Sequence, residues 1–310
     1  MASKVVILGT GGTIAGTAAS AIDGVGYTAA QLGVAQLVAA VPALAGVDVE
    51  CEQVAQLDSK DMDFSTWQRL ARRGAHHLAR AEVAGVVVTH GTDTLEETAY
   101  FLHRVLVPAK PLVLTAAMRP ATSLQADGPQ NLLDAVTLAR DAKAQGVLVA
   151  IAGRVWAGAE VRKVHTYRLD AFDAGDAGPL AAIEEGVLRW RRTAPRDAAL
   201  GLAPIERDAA QWPRVEIVLN HAGADGRLVE ALTTQGMAGI VVAGTGNGSL
   251  SAPLEAALRR AQQAGVQVLR ASRCAAGPVI GGDDAGLPGA GTLSAVQARV
   301  ELLLRLLQAH

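Results

Sequence analysis

Hydroxyl and carboxyl groups follow two strongly apolar segments of this chain, where they could take part in nucleophilic catalysis. Thr13 lies in a glycine-rich stretch after the apolar residues 5–8, and Thr92 and Asp93 follow the apolar residues 85–89. A threonine hydroxyl is a weak nucleophile, so it needs a base or a hydrogen-bond relay beside it. A neutral lysine could deprotonate Thr92, with Asp93 orienting the lysine, and backbone N–H groups of the glycine-rich turns could stabilise an oxyanion.

Further polar groups could complete such a site. Ser59 and Asp61 follow a third apolar segment, residues 47–54. Lys163 and Tyr27 are candidate partners for the threonines if the fold brings them to the same place. In an open α/β sheet, ligands bind in the crevice beyond the carboxyl ends of the strands. The three strand ends therefore predict one shared site.

The glycine-rich stretch after residues 5–8 does not have a nucleotide-binding pattern. No Gly-Lys-Ser/Thr follows it, which argues against a Walker A loop, and after Gly9 and Gly11 the third glycine of GxGxxG would fall at Ile14. The simplest alternative to a catalytic turn is a tight turn in which Thr10 or Thr13 only caps a helix.

A capped turn is also the alternative at the second threonine. Thr94 and Glu97 have the spacing of a capping box for the helix that follows. Capping does not account for Thr92 and Asp93 side by side at a strand end. No GxSxG pattern is present in the chain, which disfavours the usual serine hydrolases.

Composition argues against several classes of protein. The 310 residues are 50% hydrophobic but only 3% aromatic, which suits closely packed α/β layers, and the length predicts two domains. The formal net charge of -2 and the lack of a long basic run argue against nucleic acid or an anionic membrane as partner. No apolar run approaches the ~20 residues that a membrane span needs.

The cysteines and histidines give no indication of a metal site. Cys51 and Cys274 lack metal-ligand spacing, and we expect two small buried side chains rather than a disulfide or a reactive pair. His76 and His77 lie on a predicted helix, and we expect both at the surface.

The start of the chain predicts a cytoplasmic protein. Residues 1–4 lead directly into the first strand, which leaves no room for a signal peptide. A native leader missing from this chain would change that expectation.

Apolar periodicity predicts an α/β fold with a larger N-terminal, doubly wound and mostly parallel sheet and a smaller C-terminal α/β domain. N-terminal strands are predicted at residues 5–8, 47–54, 85–89, 111–115 and 147–151, with helices at 31–41, 65–81, 94–105 and 127–143. Ser65 is the candidate cap of the helix at 65–81. C-terminal strands are predicted at residues 215–219, 239–243 and 266–269, with helices at 228–235, 252–264 and 294–307.

The segments between these elements divide the chain. Residues 17–30 predict a loop that could cover the first turn, and residues 154–175 predict a hairpin or an extended excursion. Residues 176–213 contain prolines and resemble a linker. We therefore predict a catalytic domain at 1–190, a linker at 191–213 and a C-terminal domain at 214–310.

Five motifs resemble the bacterial L-asparaginase and glutaminase-asparaginase family. They are TGGTIAG (10–16), HGTDTLEETAYFL (90–102), AMRPATSLQADGPQNLLDA (117–135), GTGNGSL (244–250) and SR (272–273). The match spans nearly the whole chain, and the first two motifs together are highly specific. The resemblance implies hydrolysis of L-asparagine, with L-glutamine a poorer substrate, to the acid and ammonia without metal or other cofactor.

The resemblance also implies roles for individual residues. The family nucleophile is here Thr13, through an acyl-enzyme intermediate, and the lid tyrosine is Tyr27. The family's second threonine, aspartate and lysine match Thr92, Asp93 and Lys163. Further substrate-binding positions implied by the match are Gly12, Ser59, Lys60, Ala117, Ser249, Asp283 and Asp284. Ser59 would hold the substrate α-carboxylate, and Asp93 would also bind the α-ammonium group. The family further implies a homotetramer of intimate dimers, in which a neighbouring subunit completes each site.

Three positions depart from the family pattern. Lys60 replaces a glutamine that many members have, and it either faces the substrate or turns to solvent. Ser249 stands where some members have asparagine, which could loosen contacts from the neighbouring subunit. The neighbour-supplied glutamate has no clear match; Asp283 or Asp284 falls near it, and aspartate is one methylene shorter. These changes bear on amino-acid affinity and glutamine use rather than on hydrolysis.

Three rival functions remain at this stage. One is a broader glutaminase-asparaginase. Another is an amidotransferase-type subunit that supplies ammonia to a partner, although the chain has no extra interaction domain for it. The third is a catalytically idle amino-acid-binding protein on the same scaffold, which ligand-induced stabilisation without turnover would reveal.

Overall fold

The computed structural model describes residues 3–281 and 286–309 of the chain. The chain divides into two compact units, Met1–Ala203 and Pro204–His310. Asp283 and Asp284, predicted to replace the family glutamate, lie outside the described residues.

The first unit contains twelve strands and four helices among its described residues. The strands are β1 (Lys4–Gly11), β2 (Thr17–Ala18), β3 (Tyr27–Thr28), β4 (Val49–Leu57), β5 (Val83–Thr89), β6 (Pro111–Thr115), β7 (Gly146–Ile151), β8 (Arg154–Ala157), β9 (Arg162–Lys163), β10 (Phe172–Asp173), β11 (Ala181–Glu184) and β12 (Val187–Trp190). The helices are α1 (Val34–Ala39), α2 (Phe64–Leu78), α3 (Leu95–Leu106) and α4 (Gly128–Ala139).

Eight of these strands form one sheet in the order β12-β11-β8-β7-β6-β5-β1-β4. β4, β1, β5, β6 and β7 run parallel, whereas β8, β11 and β12 are antiparallel additions at one edge. From β1 the chain crosses to β4 on one side and then to β5 on the other. The strand order therefore reverses between β1 and β5, which is where a doubly wound sheet binds ligands. The predicted fold class is confirmed.

The central strands are apolar over their whole length because helices cover both faces of the sheet. In β1, residues 5–8 have no exposed surface, and the same holds for residues 86–88 of β5 and 112–114 of β6. On one face α1 and α4 pack into a cluster with alternate residues of these strands. This burial holds the carboxyl ends of β1 and β5 side by side.

Residues 181–190, which end the predicted catalytic domain within the linker-like stretch 176–213, contain regular structure. Residues 181–190 form the antiparallel hairpin β11–β12 at the sheet edge, with Ala181 opposite Trp190. Edge strands are half exposed, so this hairpin lacks the continuous apolar run by which the central strands are recognised. The predicted excursion at 154–175 contains β8, which pairs with β7, and the two-stranded β9–β10 ribbon.

Two predicted helix caps are wrong. Helix α2 begins after Asp63, whose carboxylate accepts from Thr66 N–H at 2.7 Å, rather than at Ser65. Thr94 precedes α3 but makes no side-chain cap. Its hydroxyl instead donates to the Ser59 carbonyl at 2.8 Å, because the β4 strand end lies against this turn.

The predictions that the two cysteines are buried and that His77 lies at the surface are also wrong. Cys51 and Cys274 are both exposed. His77 is buried, and its Nε2 lies 2.8 Å from Glu52 Oε2. Arg80 donates to His77 Nδ1 at 2.9 Å, so the ion-pair network between α2 and β4 provides the polar partners that a buried imidazole needs.

In its described residues the second unit has a parallel three-stranded sheet of order β13-β14-β15 and three α-helices. Its strands are β13 (Val215–Leu219), β14 (Gly239–Gly244) and β15 (Gln267–Ser272), and its helices are α5 (Arg227–Thr234), α6 (Ala252–Gln263) and α7 (Ala295–Gln308). Ser294 caps α7 and forms a capping box with Gln297. Across the described residues of both units, no helix is long and apolar enough to span a bilayer.

Candidate active site

Two glycines bring the turns after β1 and β5 into backbone contact. A Cβ on Gly12 would lie 2.3 Å from Gly91 Cα, and Gly12 has a φ of +80°. Only glycine fits such an approach with that backbone conformation. Gly12 N–H donates to the Leu57 carbonyl at 2.9 Å, which ties the same turn to the end of β4. Gly12 thus sets the spacing of the three strand ends.

Thr13, the predicted nucleophile, has a hydroxyl partner. Its Oγ1 lies 2.7 Å from Tyr27 Oη, and either oxygen can donate. Tyr27 lies on β3, which pairs with β2 and folds residues 17–28 back over the turn. Thr13 is only 7% exposed, so few water molecules compete for its hydroxyl. Thr10, the other candidate cap, donates to the Thr89 carbonyl at 2.9 Å and caps no helix.

A second group of three side chains forms around the amine of Lys163. Nζ donates to Thr92 Oγ1 at 2.9 Å and to Asp93 Oδ1 at 2.6 Å. As a donor to both oxygens, this amine must lose a proton before it can act as a base toward Thr92. The structure therefore brings Lys163 to Thr92 and Asp93, which precede it in sequence by 71 and 70 residues.

Ser59 connects the end of β4 to the second threonine turn. Its Oγ accepts from Asp93 N–H at 3.2 Å, and a Cβ on Gly91 would lie 2.4 Å from that oxygen. Ser59 is 2% exposed and lies in the short 3₁₀ turn Ser59–Asp61. It thus lies beside Asp93, where the sequence resemblance predicts recognition of the substrate α-carboxylate.

Glu96 belongs to this arrangement but was not among the predicted residues. Its Oε2 accepts from the backbone N–H of Lys163 at 2.6 Å. Burial raises the pKa of this carboxyl to about 7, while the Lys163 N–H acts in the opposite direction. Glutamate in the first turn of a helix usually complements the helix dipole, so no sequence pattern assigned this one to a site.

His90 follows β5 directly but is not available as a base. Its ring has no exposed surface, and burial lowers its pKa to about 4. Nδ1 lies 2.7 Å from the Gly91 carbonyl, which fixes the neutral ring with this nitrogen as the donor. The described site thus offers hydroxyl, amine and carboxyl groups for catalysis rather than an imidazole.

Comparison with known proteins identifies the family. The family model "Asparaginase, N-terminal" matches residues 4–196, and "Glutaminase/Asparaginase C-terminal domain" matches residues 214–310. The chain belongs to the asparaginase family. The two models together cover nearly the whole chain and confirm the resemblance seen in its motifs.

Named relatives of this asparaginase-family chain have similar lengths. L-asparaginase 2 of Escherichia coli K12 is 40% identical over 98% of this chain and 89% of its own length. Glutaminase-asparaginase of Pseudomonas fluorescens biotype A is 40% identical over 89% of this chain and 76% of its own length. The crystal structure of a probable cytoplasmic L-asparaginase from Campylobacter jejuni superposes with a TM-score of 0.92, covering 98% of this chain and 95% of that one at 38% identity.

Lys60, the first departure from the family pattern, is directed to a neighbouring carboxylate. Its Nζ lies 2.6 Å from Asp58 Oδ2, and its side chain is 63% exposed. Asp58 raises the pKa of this ammonium, and the more distant Asp93 contributes a smaller attraction. The ammonium is therefore paired with Asp58, and its orientation relative to a bound substrate stays a prediction.

Ala117 and Asp127 lie near the two ends of the loop between β6 and α4 in this asparaginase-family chain. Ala117, predicted to bind substrate, has no exposed surface and packs within the core of the first unit. Asp127 accepts from the N–H groups of Met118 and Arg119, each at 3.0 Å, instead of capping α4 with its side chain. These bonds fix the loop after β6.

Ser249 lies in the second unit, on an exposed turn after β14. Its backbone exchanges two hydrogen bonds with Thr245, at 2.7 and 2.9 Å. Its predicted role at a neighbouring subunit's site stays a prediction, as do those of Asp283 and Asp284.

Proposed function

We propose that the protein hydrolyses L-asparagine to L-aspartate and ammonia, with Thr13 as the nucleophile. The observation that carries this proposal is the 2.7 Å contact of Thr13 Oγ1 with Tyr27 Oη, next to the Lys163–Thr92–Asp93 group, in a chain of the asparaginase family. A nucleophile beside a proton acceptor is the arrangement that covalent catalysis requires.

In the first half of the reaction, Thr13 Oγ1 forms a bond to the side-chain amide carbon of asparagine. The Thr13 proton passes to Tyr27 Oη while Tyr27 passes its own proton to the amide nitrogen. The carbon–nitrogen bond then breaks, ammonia leaves, and an ester on Thr13 remains. Water hydrolyses this ester by the reverse proton path, which releases aspartate and restores the hydroxyl.

In our proposal, the group formed by Lys163, Thr92 and Asp93 positions a hydroxyl and binds the substrate. Lys163, itself bonded to Asp93, holds the Thr92 hydroxyl in place, and the exposed carboxylate of Asp93 binds the substrate α-ammonium. A reaction in which Thr92 attacks first stays open, because its hydroxyl touches an amine that could take the proton once neutral.

We further propose that Glu96 positions Lys163 through the backbone. The 2.6 Å bond from Lys163 N–H ties β9 to the first turn of α3, which follows the Thr92 turn directly. With its backbone fixed, Lys163 extends its side chain from a defined position, from which Nζ reaches Thr92 Oγ1 and Asp93 Oδ1. Glu96 touches no reacting atom in this scheme.

Ammonia release from L-asparagine and, separately, from L-glutamine tests the proposed function. Saturable turnover on asparagine that disappears in Thr13→Ala supports it, and a folded Thr13→Ala variant with full turnover would exclude Thr13 as the nucleophile. We expect glutamine to be the poorer substrate. Comparable rates on both would place the activity with that of the glutaminase-asparaginase relatives instead.

We propose a homotetramer in which a neighbouring subunit completes each site through Asp283 or Asp284. Exposed apolar side chains on the second unit, Leu219 and Leu228 among them, suit an interface between copies. Mixing inactive Thr13→Ala with an inactive double Asp283→Ala, Asp284→Ala variant tests sharing between subunits. Recovered turnover in the mixture supports it, and a monomer in sedimentation analysis would exclude it.

We also propose a cytoplasmic location. The Campylobacter jejuni structure is named cytoplasmic, whereas a relative from Haemophilus influenzae, 36% identical, is named periplasmic. Fractionation of the native host decides between them: activity in the periplasmic extract would contradict the proposal.

A further inference from the structure

The first unit contains a cavity at the opposite end of its sheet from the candidate active site. It has a volume of about 690 Å³ and lies between the end of α3, the start of β7 and residues 190–196. Thr13 and Thr92 follow the carboxyl ends of β1 and β5, whereas the cavity is lined by Gly146 and Val147 at the amino end of the parallel strand β7. Its volume is within the range of small-molecule sites.

Three cations without a carboxylate partner line this cavity. They are Lys143, Arg191 and Arg196. Within the described residues, the ammonium of Lys143 and the guanidinium of Arg191 make no ion pair, and Arg196 donates only to the neutral amide of Gln145. The carboxylate nearest in sequence to Lys143, that of Asp141, accepts from its backbone N–H instead.

Two other basic residues in the lining have a carboxylate beside them. Arg192 is paired with Glu160 at 2.5 Å, and His103 lies 2.9 Å from Asp197. Among the described residues, the lining therefore contains three cationic side chains that no carboxylate pairs, in a protein whose net charge is negative. A concave surface with one sign of charge concentrates ligands of the opposite sign.

The remaining wall is apolar and includes an unpartnered donor. Val107, Pro108, Val147 and Leu148 line it beside the indole of Trp190. The Trp190 Nε1 is buried and has no hydrogen-bond partner in the part of the chain that the structure describes. Buried N–H groups are nearly always satisfied, so this one points to an acceptor atom of a ligand.

We propose that this cavity binds an amphiphilic organic anion, with a carboxylate or phosphate group held by Lys143, Arg191 and Arg196 and an apolar or aromatic body packed against Trp190. A small inorganic anion would satisfy the cations but leave the apolar wall exposed to water. The site is separate from the proposed hydrolytic function, so either can fail without the other.

Titration with 8-anilinonaphthalene-1-sulfonate tests the site, because this probe combines an anionic group with an aromatic body and fluoresces when bound. The variants are Arg191→Glu and Lys143→Glu. The matched control is Arg189→Glu, which makes the same change of charge two residues away on β12 at an exposed arginine outside the cavity lining. Circular dichroism and the melting temperature show whether each variant is folded.

We expect saturable binding to the folded wild type, at least tenfold weaker in Arg191→Glu and Lys143→Glu and within twofold of wild type in Arg189→Glu. Equal affinities in all four proteins, or no saturable binding to the wild type, would overturn the proposal. Arg191→Glu should release ammonia from asparagine at the wild-type rate, since no catalytic group lies in the cavity.

Competition at constant ionic strength then identifies the anionic group. Displacement by phenyl phosphate or by benzoate supports an amphiphilic ligand and shows whether phosphate or carboxylate is preferred. Displacement by inorganic phosphate at the same concentration as phenyl phosphate would contradict the requirement for an apolar body. Loss of binding in Trp190→Phe with the fold retained would show that the indole N–H takes part.

Discussion

The two units each contain a glycine-rich turn after a buried parallel strand, and the two turns differ in what their polar groups do. The first, residues 9–16, follows β1 and presents Thr13 to Tyr27. The second, residues 244–249, follows β14. Both combine glycine with hydroxyl side chains, so their compositions alone give the same prediction.

The polar groups of the second turn are used to hold its own backbone. Thr245 and Ser249 pair through their main chains, and Asn247 both donates to and accepts from the backbone of Ile280, at 2.8 and 2.7 Å. Ser272 Oγ donates to the Gly246 carbonyl. Such a turn is satisfied within its unit, whereas the Thr13 hydroxyl is paired with a second hydroxyl that can exchange a proton.

The difference comes from the neighbouring strands. The strand order reverses between β1 and β5, so two loops diverge there and leave a crevice. In the second unit β13, β14 and β15 follow one another in order, and the turn after β14 is closed by residues that follow β15. A reactive hydroxyl needs an open crevice, such as the one where the strand order reverses in the first unit.

Replacing either Thr13 of the first turn or Thr245 of the second turn with alanine should give the largest contrast in activity between the two turns. We expect Thr13→Ala to lower kcat for asparagine at least ~10³-fold, as loss of a nucleophile does. Thr245→Ala removes only a 3.2 Å bond to the Ser249 carbonyl, so its kcat should stay within about threefold of wild type. Ammonia release by both purified variants gives the comparison; equal losses would mean that the two turns do not differ as we describe.

Replacing one glycine of each turn with alanine should show that the first turn is more closely packed than the second. Gly12→Ala places a Cβ 2.3 Å from Gly91 Cα at a φ of +80°, and we expect a loss of about 3 kcal/mol of unfolding free energy. At Gly246, φ is +48° and nothing lies within 4 Å, so alanine there should cost ~1 kcal/mol. Denaturant unfolding measures both, and a Gly12→Ala variant as stable as Gly246→Ala would refute the close approach.

The buried carboxyl beside the first turn should make stability depend on pH. Because burial raises the pKa of Glu96 from 4.5 to about 7, the folded state binds its proton more tightly than the unfolded state. This contribution is complete below pH 4.5 and is lost as the pH rises through 7. Glu96→Gln should therefore lose less unfolding free energy than wild type between pH 5 and 8, by about 2 kcal/mol. Parallel pH profiles of the two proteins would contradict this.

The same glutamate should affect turnover through the position of Lys163. Glu96→Ala removes the acceptor of Lys163 N–H, and we expect kcat to fall about tenfold with KM changed less than twofold. Glu96→Gln keeps an acceptor oxygen and should restore most of the rate. An equal loss of kcat in Glu96→Gln and Glu96→Ala would instead indicate that the charge of Glu96 matters rather than the hydrogen bond.

The smallest effect is expected at Lys60. Its ammonium is bonded to Asp58 and exposed, so Lys60→Gln should change KM for asparagine less than threefold. A larger change, together with a lower dependence of KM on ionic strength, would show that Lys60 turns toward the substrate.

Much of the fold could be predicted because continuous apolar runs mark strands that are buried on both faces. β6 (Pro111–Thr115) has the predicted bounds, and β1 and β5 differ from them by a few residues at the ends. The hairpin β11–β12 was not predicted, since its strands lie at the sheet edge and have a mixed pattern of exposure. The cap at Ser65 was wrong because Asp63, two residues earlier, competes for the same N–H groups.

The sequence by itself determined the family, the α/β fold and the residues that could react, because each depends on local patterns and on the chemistry of side chains. Only the tertiary structure showed that the Thr13 turn lies against the Thr92 turn and that Glu96 holds the backbone of Lys163. Those properties depend on contacts between β1, β5 and β9, which are distant in sequence. Strand order and close backbone approach create them, and neither leaves a periodic signal in the chain.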